Sequence, residues 1–88
     1  MHAVLVRVTI KDPEQATKVL REEVVPRVRQ APGLVAGYWV RLDGNQGRSI
    51  VVFESEEAAQ AAADQVRAMT FEFVTLDSVD VHEVVAHT

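Results

Sequence analysis

Val4, Val6, Val8 and Ile10 alternate with Leu5, Arg7 and Thr9. This two-residue period, rich in β-branched side chains, predicts a strand over 4–10. The period then changes. Ala16, Leu20, Val24 and Val28 repeat every four residues, with Val19 and Val25 widening the stripe, which predicts a helix over about 13–30. Asp12 suits the N-cap, Pro13 the first helical position and Gln15 the far corner of a capping box. Pro26 lies inside the stripe, removes a backbone donor and is expected to kink the helix or shift its last turn. Pro32-Gly33 ends it.

Two apolar runs follow, 34–42 and 49–53, on either side of Asp43-Gly44-Asn45-Gln46-Gly47, the pattern of a β-hairpin. Ser55 then offers an N-cap, with Glu56 and Glu57 where the helix dipole favours negative charge. A second helix is predicted over about 56–69, with Ala59, Ala62, Ala63, Val66 and Met69 on one face. After an irregular 70–77, a last strand is expected over roughly 78–87. Val79 and Val81 alternate one way in it and Val84 and Ala86 the other, which a bulge at His82-Glu83 would reconcile.

The order β-α-β-β-α-β is the ferredoxin-like split βαβ arrangement, an α+β fold with both helices on one face of an antiparallel sheet. The uncovered face should be polar if it meets water. Strand alternation instead gives it Leu5, Val35, Trp39, Val51 and Phe53, a large apolar patch for a monomer. The expected remedy is a homodimer packed sheet on sheet across a two-fold axis.

With 88 residues the chain is one domain, at a size where about 60% of the unfolded surface can be buried. A hydrophobic share of 48% argues against disorder. The net charge of -4 argues against nucleic acid or an anionic membrane as partner. The lack of cysteine excludes disulfides and thiolate metal sites. No apolar run approaches the roughly 20 residues of a membrane span, and no secretory leader opens the chain, so a cytoplasmic location is expected.

Ala31-Pro32-Gly33, the hairpin strand Gly37-Tyr38-Trp39-Val40 and the passage Val52-Phe53-Glu54-Ser55-Glu56-Glu57-Ala58 resemble the dimeric α+β barrel superfamily. They are closest to its antibiotic-biosynthesis-monooxygenase-like (ABM) group. The resemblance spans nearly the whole chain. It implies a small dimeric protein, with cofactor-independent oxygenation of an aromatic or polyketide-like molecule among its functions; other members degrade haem, isomerise or dismutate. The group's best understood oxygenases use a strand Asn and a Trp on the second helix. Here the only Asn is Asn45 in the hairpin loop and the only Trp is Trp39 on a strand, so no catalytic residue carries over by position.

The candidates therefore stand on their own chemistry. Trp39 is expected on the inter-subunit face, either stacking on a planar ligand or serving as an interface anchor. Arg7 shares the side of Leu5. It would orient an anionic or enolic substrate, or pair with Asp80 or Glu83 on the last strand. Arg41 reads as a rim charge and Tyr38 as part of the helix-facing core. His82 is the candidate for proton transfer. His2 and His87, at the chain ends, could meet across neighbouring strands, but no third ligand completes a metal site. Gly44-Asn45-Gln46-Gly47 joins two strands and is no phosphate loop. The expected site is Trp39, Arg7 and Phe53 for substrate binding and His82 and Arg7 for catalysis, with no haem, flavin or metal. The alternatives are a non-catalytic small-ligand binder and a structural dimer with a filled core.

Overall fold

The computed structural model describes all residues, 1–88. Strand β1 (His2–Ile10) leads to helix α1 (Pro13–Val19), a π turn (Leu20–Val24) and helix α2 (Val25–Arg29). Strands β2 (Leu34–Arg41) and β3 (Gln46–Phe53) form the hairpin, and helix α3 (Glu56–Ala68) and strand β4 (Val74–Glu83) complete the chain. The sheet order is β2-β3-β1-β4, antiparallel throughout. This is the expected split βαβ architecture.

Each helix starts as its cap dictates. The Asp12 carboxylate accepts from the Gln15 amide at 3.2 Å, and the Ser55 hydroxyl from the Ala58 amide at 3.1 Å. Pro26 has no N–H for the Glu22 carbonyl, and its ring would crowd that carbonyl in a regular helix. The chain answers with the π turn just before it, in which the Val25 amide reaches back to the Leu20 carbonyl. The kink expected from Pro26 thus takes the form of a widened turn. Gly33, at φ 78, reverses the chain into β2, a conformation that side-chain-bearing residues rarely adopt. Its carbonyl accepts from the Glu54 amide at 2.8 Å, tying this turn to the end of β3.

The core lies between the sheet and α3. Val4, Val6, Val51 and Phe53 meet Ala59 and Ala63, which are completely buried because alanine lets the helix lie close to the strands. The helical arm 13–29 packs more loosely, and only Val19 in it is buried.

The register and strand limits correct several expectations. Val4 pairs with Val51, and His2 with Phe53. Gly37 stands beside Val51, and Trp39 beside Ser49. Trp39, Val51 and Phe53 therefore face the helices, and Tyr38, paired with Ile50, faces away. Both faces of these strands are apolar, so hydrophobicity alone leaves the phase open. A register shift between Leu34 and Ala36 also sets Val35 apart from the ladder. β3 begins at Gln46, inside the expected loop. β4 begins and ends four residues earlier than expected. Its irregularity lies opposite Arg7/Val8, where Asp77 has no partner on β1, rather than at His82-Glu83. There the Thr9 hydroxyl donates to the Asp77 carboxylate at 2.7 Å.

The open face remains apolar with different members. Tyr38, Val40 and Ile50 are exposed there, beside the partly buried Leu5 and Val52. Only 11 of the 88 residues are buried, a thin core for one chain.

Candidate functional site

Because the arm 13–29 stands off the sheet, a cavity of about 850 Å³ opens between them, closed on its far side by α3 and the segment leading into β4. Its floor is the helix-facing row of the sheet: Val4, Val6 and Val8 from β1, Val51 and Phe53 from β3, and Trp39 from β2. Leu20 and Val24 form the opposite wall; Phe71 and Phe73, whose rings lie 5.2 Å apart, close one side. The size and apolar lining are those of a small-molecule site.

Trp39 is half-buried and fixed by its neighbour two residues back. A Cβ at Gly37 would stand 3.1 Å from the outer ring carbons of Trp39, so the indole lies over the bare glycine backbone. One edge of the ring packs on the core while the ring borders the cavity.

The charges bordering the cavity share one sign. Lys11, Arg21, Arg41, Arg48 and Arg67 contribute to its boundary, and no Asp or Glu does, although the chain's net charge is -4. Two of the five are engaged elsewhere. Arg67 donates to the Asp64 carboxylate at 3.2 Å and to the Val79 carbonyl at 3.0 Å. Arg48 pairs with Arg7 and so projects from the open face, touching the cavity boundary only at the strand, and it donates to the Gly47 carbonyl at 2.9 Å and the Gln46 side chain at 3.3 Å. Arg21 and Arg41 make no ion pair; they also border a shallow outer groove with Glu14, Lys18 and Glu22.

The expected site residues do not converge. Trp39 and Phe53 border the cavity, Phe53 as part of its buried floor. Arg7 is exposed on the open face between Arg48 and Ser78, so Trp39 and Arg7 lie on opposite sides of the sheet. The ion pair between Arg7 and Asp80 or Glu83 is absent as well: Asp80 lies across from Leu5, and Glu83 from His2. His82 stands beside Ala3, exposed and away from the cavity. His2 meets Glu56, Nε2 to carboxylate 3.2 Å, rather than His87. The basic rim was missed as a group because its members are scattered along the chain, and Arg41, expected as a rim charge of the uncovered face, lies instead with Trp39 on the helix-facing side.

No known family profile matches the sequence, and no curated protein matches it either. Solved structures do. HapK from Hahella chejuensis superposes with a TM-score of 0.73 at 13% identity, covering 100% of this chain and 96% of that one. SnoaB, a cofactor-independent oxygenase from Streptomyces nogalater, gives 0.72 at 16%, covering 98% and 94%. A variant of MhuD with two manganese protoporphyrin IX groups bound per active site gives 0.71 at 18%, covering 100% and 98%. The chain thus shares the fold of these proteins over nearly its whole length, the split βαβ arrangement that the hairpin and helix motifs implied. At these identities the likeness is one of fold.

A porphyrin does not suit this cavity. No His, Cys or Tyr lines it, and Met69 is its one side chain of a type that ligates haem iron, so the proximal His, thiolate or phenolate of most haem proteins is lacking.

Proposed function

We propose that the protein is an ABM-like cytoplasmic homodimer that takes up an aromatic or polyketide-like small molecule between its sheet and helical arm, acting on it without a resident cofactor. The observation that carries this reading is the large apolar cavity with Trp39 in its wall. A flat, electron-rich ring system gains stacking on the indole and burial among valines and phenylalanines.

Cofactor-free oxygenation suits such a place because the substrate supplies the electrons. An activated CH2 becomes C=O as one oxygen atom of O2 enters the product and the other leaves as water. All four electrons and both protons come from the substrate. The protein need only exclude water, hold the ring and favour its anion. The cationic rim serves the last purpose. The second reading, a non-catalytic binder, is favoured by one feature: no His, Asp or Glu borders the cavity to take the substrate's proton.

Anthrone separates the readings. It should bind by calorimetry, quench Trp39 emission and bind about tenfold more weakly to Trp39→Ala, the scale of a lost stacking contact. Oxygen uptake matched by anthraquinone formation, above the spontaneous rate, identifies the enzyme. Binding with no such uptake identifies the carrier. If anthrone and hydroxylated polycyclic aromatics all fail to bind, the cavity reading falls.

A further inference from the structure

We infer that the ligand carries a carboxylate, seated at the cavity rim by Arg21 and Arg41 while its apolar body runs inward to Trp39. This rests on the cavity being the binding site and deepens it by naming the ligand class. Arg41 is the last residue of β2. It pairs with Gly47 on the helix-facing side of the sheet, two residues beyond Trp39 on the same face. Arg21 stands in the π turn of the arm opposite, one residue after Leu20 of the cavity wall. The two guanidinium groups therefore come from the two walls of one mouth and border both the cavity and the groove outside it. Lys11, following β1 at the same end of the sheet, adds a third positive charge to the cavity boundary.

Neither arginine is committed to a carboxylate of its own chain. Two forked donors that lack a partner, beside an apolar hollow free of acidic groups, match an amphiphile with a planar anionic head. The charge of that head is bounded too. Glu14 and Glu22 flank the outer groove together with Lys18 and the two arginines, a net charge of about +1 that a single carboxylate neutralises and a dianionic phosphate exceeds. The arginines also give the ligand a polarity: head at the hairpin end of the sheet, ring or acyl body inward along the strands toward Trp39.

Anthracene-2-carboxylate and its neutral carboxamide test this, since they differ at the head and share the body. Binding is read by calorimetry and by quenching of Trp39. The acid should bind about tenfold or more tightly than the amide, the scale of a charged hydrogen bond. Arg21→Gln/Arg41→Gln should erase that preference while leaving amide affinity unchanged, and the Lys variants should restore part of it. Raising salt to about 0.5 M should shrink it, because the arginines are exposed to solvent. Equal affinity for acid and amide in the native protein overturns the carboxylate seat and leaves the cavity reading intact. A preference that survives in the double Gln variant overturns the assignment to these arginines. If neither compound binds, the cavity reading and the seat fall together.

Discussion

Trp39 owes its position to a residue with no side chain. With Gly37 two positions earlier on the same face of β2, the indole lies down along the strand and borders the cavity. Gly37→Ala would press a methyl group 3.1 Å from two ring carbons and 3.7 Å from Val51. The ring would have to lift by a few tenths of an ångström. We expect a loss of about 1–3 kcal/mol, the range for overpacking, read as a lower urea midpoint, with a shifted Trp39 emission maximum. Unchanged emission would mean that Gly37 does not set the ring's place. The same pair shows where sequence reading stopped. Tyr38 and Trp39 are adjacent, so one of them must face each side of the sheet. Nothing in Leu34–Arg41 says which, because either choice puts an aromatic ring against apolar neighbours.

Among the elements, α3 and the arm 13–29 differ in what they bury. The order of strands and helices was legible because periods of two and four residues, two good caps and a turn-rich loop all agree. The phase of β2 and β3 and the extent of β4 were not, since those depend on which residues oppose each other across the sheet. The arm illustrates a subtler point. A four-residue repeat such as Ala16, Leu20, Val24, Val28 drifts by about 40° per step around a regular helix of 3.6 residues per turn. The wider π turn at Leu20–Val24 takes up part of that drift. Pro26 and the stripe are therefore matched to one another. Because the arm stands off the sheet and α3 does not, its amides should lose protection first. Hydrogen exchange should show amides of α1 and α2 exchanging faster than those around Ala59 and Ala63, and slowing when a cavity ligand is added. Equal protection in both helices would contradict the loose packing of the arm.

For the molecule as a whole, two surfaces ask for company: the cavity and the open face of the sheet. A chain with 11 buried residues and Tyr38, Val40 and Ile50 exposed side by side gains much by covering that face, and a second copy offers a matching apolar surface. We expect sedimentation to give twice the chain mass at micromolar concentration. Ile50→Asp, at the centre of the face, should shift the protein to monomer and lower its stability by several kcal/mol through a buried, unpaired charge. A monomeric native protein with a sharp unfolding transition would overturn the dimer. The apolar character of the open face was legible in the sequence; the residues that form it were not, because the strand phases decide them. Leu5 alone keeps its place on the ladder of that face, and Arg7 beside it becomes a residue of the proposed interface instead of the ligand site.

The sheet order has a further consequence, for time rather than for stability. The strand made first, β1, is flanked by β3 and β4, so His2 finds its partners at Phe53 and Glu83. Nearly every contact that defines the core must wait for distant parts of the chain to meet, and only the β2–β3 hairpin can close locally. Such a chain folds on the millisecond-to-second scale of non-local topologies rather than in microseconds. During that interval β1, the most apolar strand, is available to any other strand it encounters, including that of a second copy.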